Sequence, residues 1–138
     1  MARRVVILPC SGVGKVYGTI AREAAYMTIE QLRPDKTLTV CLPRLVVEDD
    51  DDARRIVREN PCIVINGCPS KCAEFAAETA GGKIVGELNV TSVLRENRDL
   101  KPSQMAIREL DPKGRRLAEV VAEKISREVD RILGSEGG

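Results

Sequence analysis

The chain has 138 residues, 43% of them apolar and 31% charged, and its acidic and basic residues nearly cancel at a net charge of +1. That length suits one domain spanning residues 1–138, and the balanced charge offers no basic field for a phosphate backbone, so nucleic acid is not an expected partner. Histidine is missing altogether, which excludes His-based catalytic triads and His-containing zinc sites.

Met1-Ala2-Arg3-Arg4 leads into a short apolar run over residues 5–8. This is far below the roughly 18 residues of a membrane span and has no cleavable signal layout. A cytoplasmic location and no membrane partner are therefore expected. Val5–Pro9 reads as a first strand, apolar up to Leu8 and so buried on both faces. Over residues 13–32, Val16, Ile20, Ala24, Met27 and Leu32 recur near helical spacing, and Pro34 closes the segment. Residues 37–42 form a second strand, ended by Pro43. The acidic run 48–52 then enters a helix, where negative charge complements the dipole.

Residues 61–67 form a third strand, with Pro61 at its tolerated first position. A helix over 69–80 opens with Pro69 and stops at Gly81-Gly82, and residues 83–88 are a fourth strand. Residues 91–107 read as a short helix or loop followed by a connector. Asp111-Pro112 starts a final helix with a Leu117, Val121, Ile125, Val129, Ile132 stripe, and residues 134–138 form a frayed tail. This alternation predicts an α/β three-layer sandwich, Rossmann-like, with a mainly parallel four-stranded sheet covered by helices. Right-handed crossovers give the strand order 2-1-3-4.

On that outline Cys10 follows the first strand, Cys41 ends the second, Cys68 follows the third, and Cys72 lies one helical turn later. All four sit at carboxyl ends of strands, which share one edge of a parallel sheet, where ligands bind. Cys62 begins the third strand at the opposite edge and is expected to be a buried small hydrophobe. A reducing compartment disfavours disulfides, so the convergent cysteines point to a metal ion, zinc above all, held by four thiolates at about 2.3 Å. Lys15, Arg44 and Lys71 lie beside three of them and can balance the charge.

A closed four-cysteine shell leaves no open coordination position, which favours a structural or metal-handling accessory role over catalysis. An alternative is thiol-based redox or sulfur transfer through Cys68 and Cys72. A third reading is anion or nucleotide binding by Ser11, Gly12, Gly14 and Lys15, at a strand-to-helix turn that lacks the spacing of a phosphate-binding Walker loop.

The segment Val64-Ile65-Asn66-Gly67-Cys68-Pro69-Ser70-Lys71-Cys72-Ala73 resembles the signature of the DGC domain, a family associated with zinc binding. Cys10-Ser11-Gly12 and Cys41 are similar to that family's remaining cysteines, so the resemblance spans roughly residues 5 to 90. It implies a zinc-binding α/β domain with Cys10, Cys41, Cys68 and Cys72 as ligands and Asn66, Gly67 and Lys71 around them. The aspartate of the family's name is Asn66 here, which keeps an acceptor and adds donors but cannot act as a base. The metal ion is the partner this implies, and an accessory role leaves room for a protein partner.

Overall fold

A computed structural model describes residues 4–10, 14–47, 51–67 and 71–136. Strands β1 (Val5–Pro9), β2 (Thr37–Leu38), β3 (Pro61–Asn66) and β4 (Lys83–Asn89) form one sheet in the order β2-β1-β3-β4. Every pairing is parallel. Helices α1 (Val16–Met27), α2 (Asp51–Glu59), α3 (Cys72–Thr79), α4 (Val90–Glu96) and α5 (Pro112–Glu136) cover it. The expected class and strand order are thus both realised.

Alternation along the two inner strands divides the core. Val5, Ile7, Ile63 and Ile65 point to a face covered by α1, α4 and α5, where Ile20, Ala24, Val93, Leu117, Val121 and Ile125 are fully or almost fully buried. Val6, Leu8, Cys62 and Val64 point to the other face, against Leu45, Val57 of α2 and Ala73 and Ala77 of α3. Burying each Val, Leu or Ile contributes about 1.5–3 kcal/mol. The small alanines of α3 let that helix sit close to the sheet. With so few aromatics, packing falls to aliphatic side chains in both layers.

Several boundaries differ from the sequence expectation. β2 stops at Leu38, because the Thr39 hydroxyl donates to the Ile7 carbonyl at 2.7 Å and takes an acceptor on β1's β2-facing edge. Residues 42–46 then form a 3-10 helix with Pro43 in its first turn. α1 ends in a π-helical turn, Thr28–Leu32, in which the buried Thr28 hydroxyl bonds Ala24 O. β3 ends one residue earlier than expected and β4 one residue later. α5 runs to Glu136, so the first part of the expected frayed tail is helical.

α3 begins at Cys72, not at Pro69. Lys71 adopts φ 52° and ψ 46°, a left-handed conformation through which a right-handed helix cannot run. Between β4 and α5 the chain forms α4 and a 3-10 turn, Arg98–Leu100, and the Thr19 hydroxyl of α1 anchors the following connector through Ile107 O.

Candidate functional site

The carboxyl edge of the sheet is built from the segments into which the strands open. β1 leads into Cys10, whose N–H donates to Ile65 O at 3.0 Å and extends the ladder by one bond. β2 leads through Thr39 and Val40 to Cys41, which precedes the 3-10 helix. Cys10 is half-buried and Cys41 exposed, and both line one crevice of about 390 Å³ between α1 and the segment after β2. The other walls include Ala25, Ile29, Val40 and Leu42, with Arg22 and Tyr26 as the larger polar side chains. The topology thus joins two cysteines 31 positions apart in sequence.

Cys72 is exposed as the first residue of α3 and does not line that crevice. α3 nevertheless packs against the 3-10 helix that begins just after Cys41. Cys68 lies outside the described residues, as do Ser11 and Gly12. Among the described residues no group of three His, Cys, Asp or Glu side chains is arranged to hold a metal ion. α3 starts at Cys72, directly after the left-handed Lys71, and the expectation that Cys68 shares its first turn lies outside the described residues.

Cys62 behaves as expected. It is fully buried near the start of β3, and its thiol donates to Val57 O and Asn60 O at 3.4 Å. Burial pushes its pKa up to about 11, so it is held as a neutral thiol and is a poor metal ligand. The anion-binding expectation gains less. Gly14 has φ 95°, a conformation that favours glycine, while Lys15 is exposed at the start of α1 with no side-chain cap.

Asn66 and Gly67 sit where β3 leaves the sheet. Asn66 is 1% exposed, its Nδ2 donates to Glu87 Oε1 at 3.2 Å, and its Oδ1 has no partner among the described residues. Glu87 reaches this place through a β-bulge. The register jumps from Cys62↔Ile84 to Ile63↔Gly86, so Ile84 and Glu87, three residues apart, face α3 together. Lys71 bonds Glu87 at 3.4 Å.

Hydrogen bonding with Glu87, its neighbour's charge adding to the effect, holds the Glu74 carboxyl above the usual carboxylate range. Partial burial pushes Glu87 upward, but the Glu74 hydrogen bond and the Lys71 ammonium outweigh it and hold Glu87 below that range. Sequence reading missed Glu74, Glu87, Arg22 and Tyr26. Gly86 was the one signal for the bulge, while Arg22 and Tyr26 are read only once β2 is placed beside α1.

The sequence model of the DGC domain matches residues 6–113. This chain belongs to the DGC domain family. The match includes all five cysteines and passes residue 90 to take in α4 and the connector, leaving most of α5 beyond it. No curated protein and no solved structure matches the chain. The segment that resembles the DGC signature lies at the exit of β3, where Asn66 and Gly67 are buried.

No described helix is long and apolar enough to cross a membrane.

Proposed function

We propose that this DGC domain is a zinc-binding protein in which the thiolates of Cys10, Cys41, Cys68 and Cys72 hold one ion at the carboxyl edge of the sheet. The observation that carries the reading is the shared crevice of Cys10 and Cys41, with Cys62 buried at the opposite end of β3. The donor set fits zinc: the described cysteines are free, no histidine competes, and the buried Asn66 Oδ1 at the same edge has no partner among the described residues. Zinc would supply a redox-inert crosslink between three strand exits. A full thiolate shell leaves no room for substrate, so the role is structural or metal-handling rather than catalytic. Lys71, already paired with Glu87, stands beside Cys72 to offset negative charge.

A second reading, thiol redox or sulfur transfer through Cys68 and Cys72, is favoured by the exposure of Cys72 on the first turn of α3. Elemental analysis of protein purified without added metal, paired with a count of reactive thiols under native conditions, separates the two. The zinc reading expects about one zinc per chain with at most Cys62 reacting. It also expects Cys10→Ser and Cys68→Ser to lose the metal and Cys62→Ser to keep it. Stoichiometric zinc retained in either ligand variant would overturn the assignment, and absence of metal with several reactive thiols would establish the thiol reading in its place.

A further inference from the structure

A second cleft, of about 420 Å³, is formed by Tyr17 of α1 with Thr91, Leu94, Arg95, Arg98 and Lys101, none of which lines the cysteine crevice. Its three cations belong to the described basic residues that meet no carboxylate, a group that also includes Lys15, Arg22 and Lys83, whereas others are paired. Arg33 and Lys36 meet Asp130, Arg54 and Arg58 meet Asp51, Arg55 meets Asp52, and Lys71 meets Glu87. Arg116, Lys124 and Arg131 also have carboxylate partners. Arg95, Arg98 and Lys101 have neither an ion pair nor a side-chain hydrogen bond among the described residues. Glu96, next to Arg95, turns away to Lys124 at 3.3 Å. Three like charges on one concavity repel one another, and an anion placed among them relieves that repulsion.

The rest of the cleft suits the same ligand. The Tyr17 hydroxyl accepts from Gln104 Nε2 at 3.1 Å, which orients the ring and leaves its own O–H able to donate to a ligand. The Thr91 hydroxyl is likewise uncommitted among the described residues. Tyr17 lies on the first turn of the 12-residue α1, whose positive dipole end adds to the field of the cations. The Tyr17 ring and Leu94 provide an apolar wall, and the volume lies within the ~300–1,000 Å³ of small-molecule sites. Guanidinium forks and an ammonium are the side chains suited to phosphate oxygens.

We propose that the Arg95, Arg98, Lys101 and Tyr17 cleft binds a phosphorylated small molecule, with the phosphate on the three cations and the organic part against Tyr17 and Leu94. This site shares no lining residue with the crevice of Cys10 and Cys41 and does not depend on the zinc assignment. It also differs from the turn 11–15 suggested by the sequence, because its cations come from α4 and the segment after it.

Isothermal titration of the protein, as purified, with inorganic pyrophosphate and with ADP, at low salt and without phosphate buffer, tests this. Both are expected to bind, with affinity falling as salt rises. Arg95→Ala with Arg98→Ala should weaken binding at least about tenfold, a change of about 1.4 kcal/mol. The variant should keep its melting temperature and zinc content, because neither arginine holds a partner among the described residues. Arg98→Lys should retain part of the affinity. No binding, binding unchanged in the double variant, citrate binding as tightly as pyrophosphate, or a single-stranded oligonucleotide binding more tightly than ADP would each overturn the proposal.

Discussion

Gly67 and Gly18 meet backbone to backbone: a Cβ on Gly67 would lie 2.8 Å from both the nitrogen and the Cα of Gly18 and 2.9 Å from the Tyr17 carbonyl carbon. The exit of β3 is therefore pressed against the first turn of α1. No flexible side chain can yield there, so a methyl group must displace backbone. Gly67→Ala is expected to destabilise the fold by about 1–3 kcal/mol, the usual cost of overpacking, and, on the zinc reading proposed above, to lower metal content as well. Urea unfolding with parallel metal analysis reads both effects. A variant as stable and as fully loaded as the parent would contradict this contact.

Cys62 gives a prediction in pH. Burial raises its folded pKa to about 11, above the ordinary thiol value. As pH rises past about 8.5–9 the unfolded chain loses this proton first, so unfolding becomes more favourable. The contribution is fully present below that range and is lost progressively up to about 11. Cys62→Ala should flatten the alkaline loss of stability between about pH 8 and 10.5 relative to the parent, as followed by urea midpoints. Parallel alkaline profiles would show that the thiol is not held neutral by burial.

The bidentate Arg33–Asp130 pair, with N–O distances of 2.8 and 2.7 Å, ties the turn before β2 to the last third of α5. Both partners are partly exposed, so Asp130→Ala is expected to cost only about 0.2–1 kcal/mol. The hydrogen bond from Arg33 holds the Asp130 carboxyl below its ordinary range, with further charge support from Lys36. Its contribution is present above the ordinary aspartate pKa of about 4 and is lost as pH falls through the lowered folded value. The variant and the parent should converge in stability in strong acid. A gap that widens on acidification would reverse the sign.

Asn66→Asp exchanges the amide for a carboxylate and tests the Glu87 contact. Here Nδ2 donates to Glu87 Oε1, so a buried aspartate would face a carboxylate without a donor. A loss of about 1–3 kcal/mol is expected at neutral pH, the cost of an uncompensated buried polar group. Adding Glu87→Gln should recover much of it by supplying an N–H. If the double variant is no more stable than Asn66→Asp alone, the two side chains are not coupled as the structure indicates.

Much of this architecture is written in local pattern. The unbroken apolar residues of β1 and β3, the Leu117 to Ile132 stripe of α5 and the Gly81-Gly82 stop each arise from backbone and burial preferences that act over a few residues, and the parallel order 2-1-3-4 comes from connecting them. The opposition of Cys62 to Cys10 and Cys41 was legible for the same reason, because position along a parallel strand fixes the edge of the sheet. What the sequence could not decide depends on partners distant in the chain. β2 ends early because a threonine side chain takes an acceptor on a neighbouring strand, and Glu87 faces Asn66 because a bulge shifts the phase of β4. Arg95, Arg98 and Lys101 become one cleft only when α4 is laid beside Tyr17, since charges carry no local signature of which other charges they will meet.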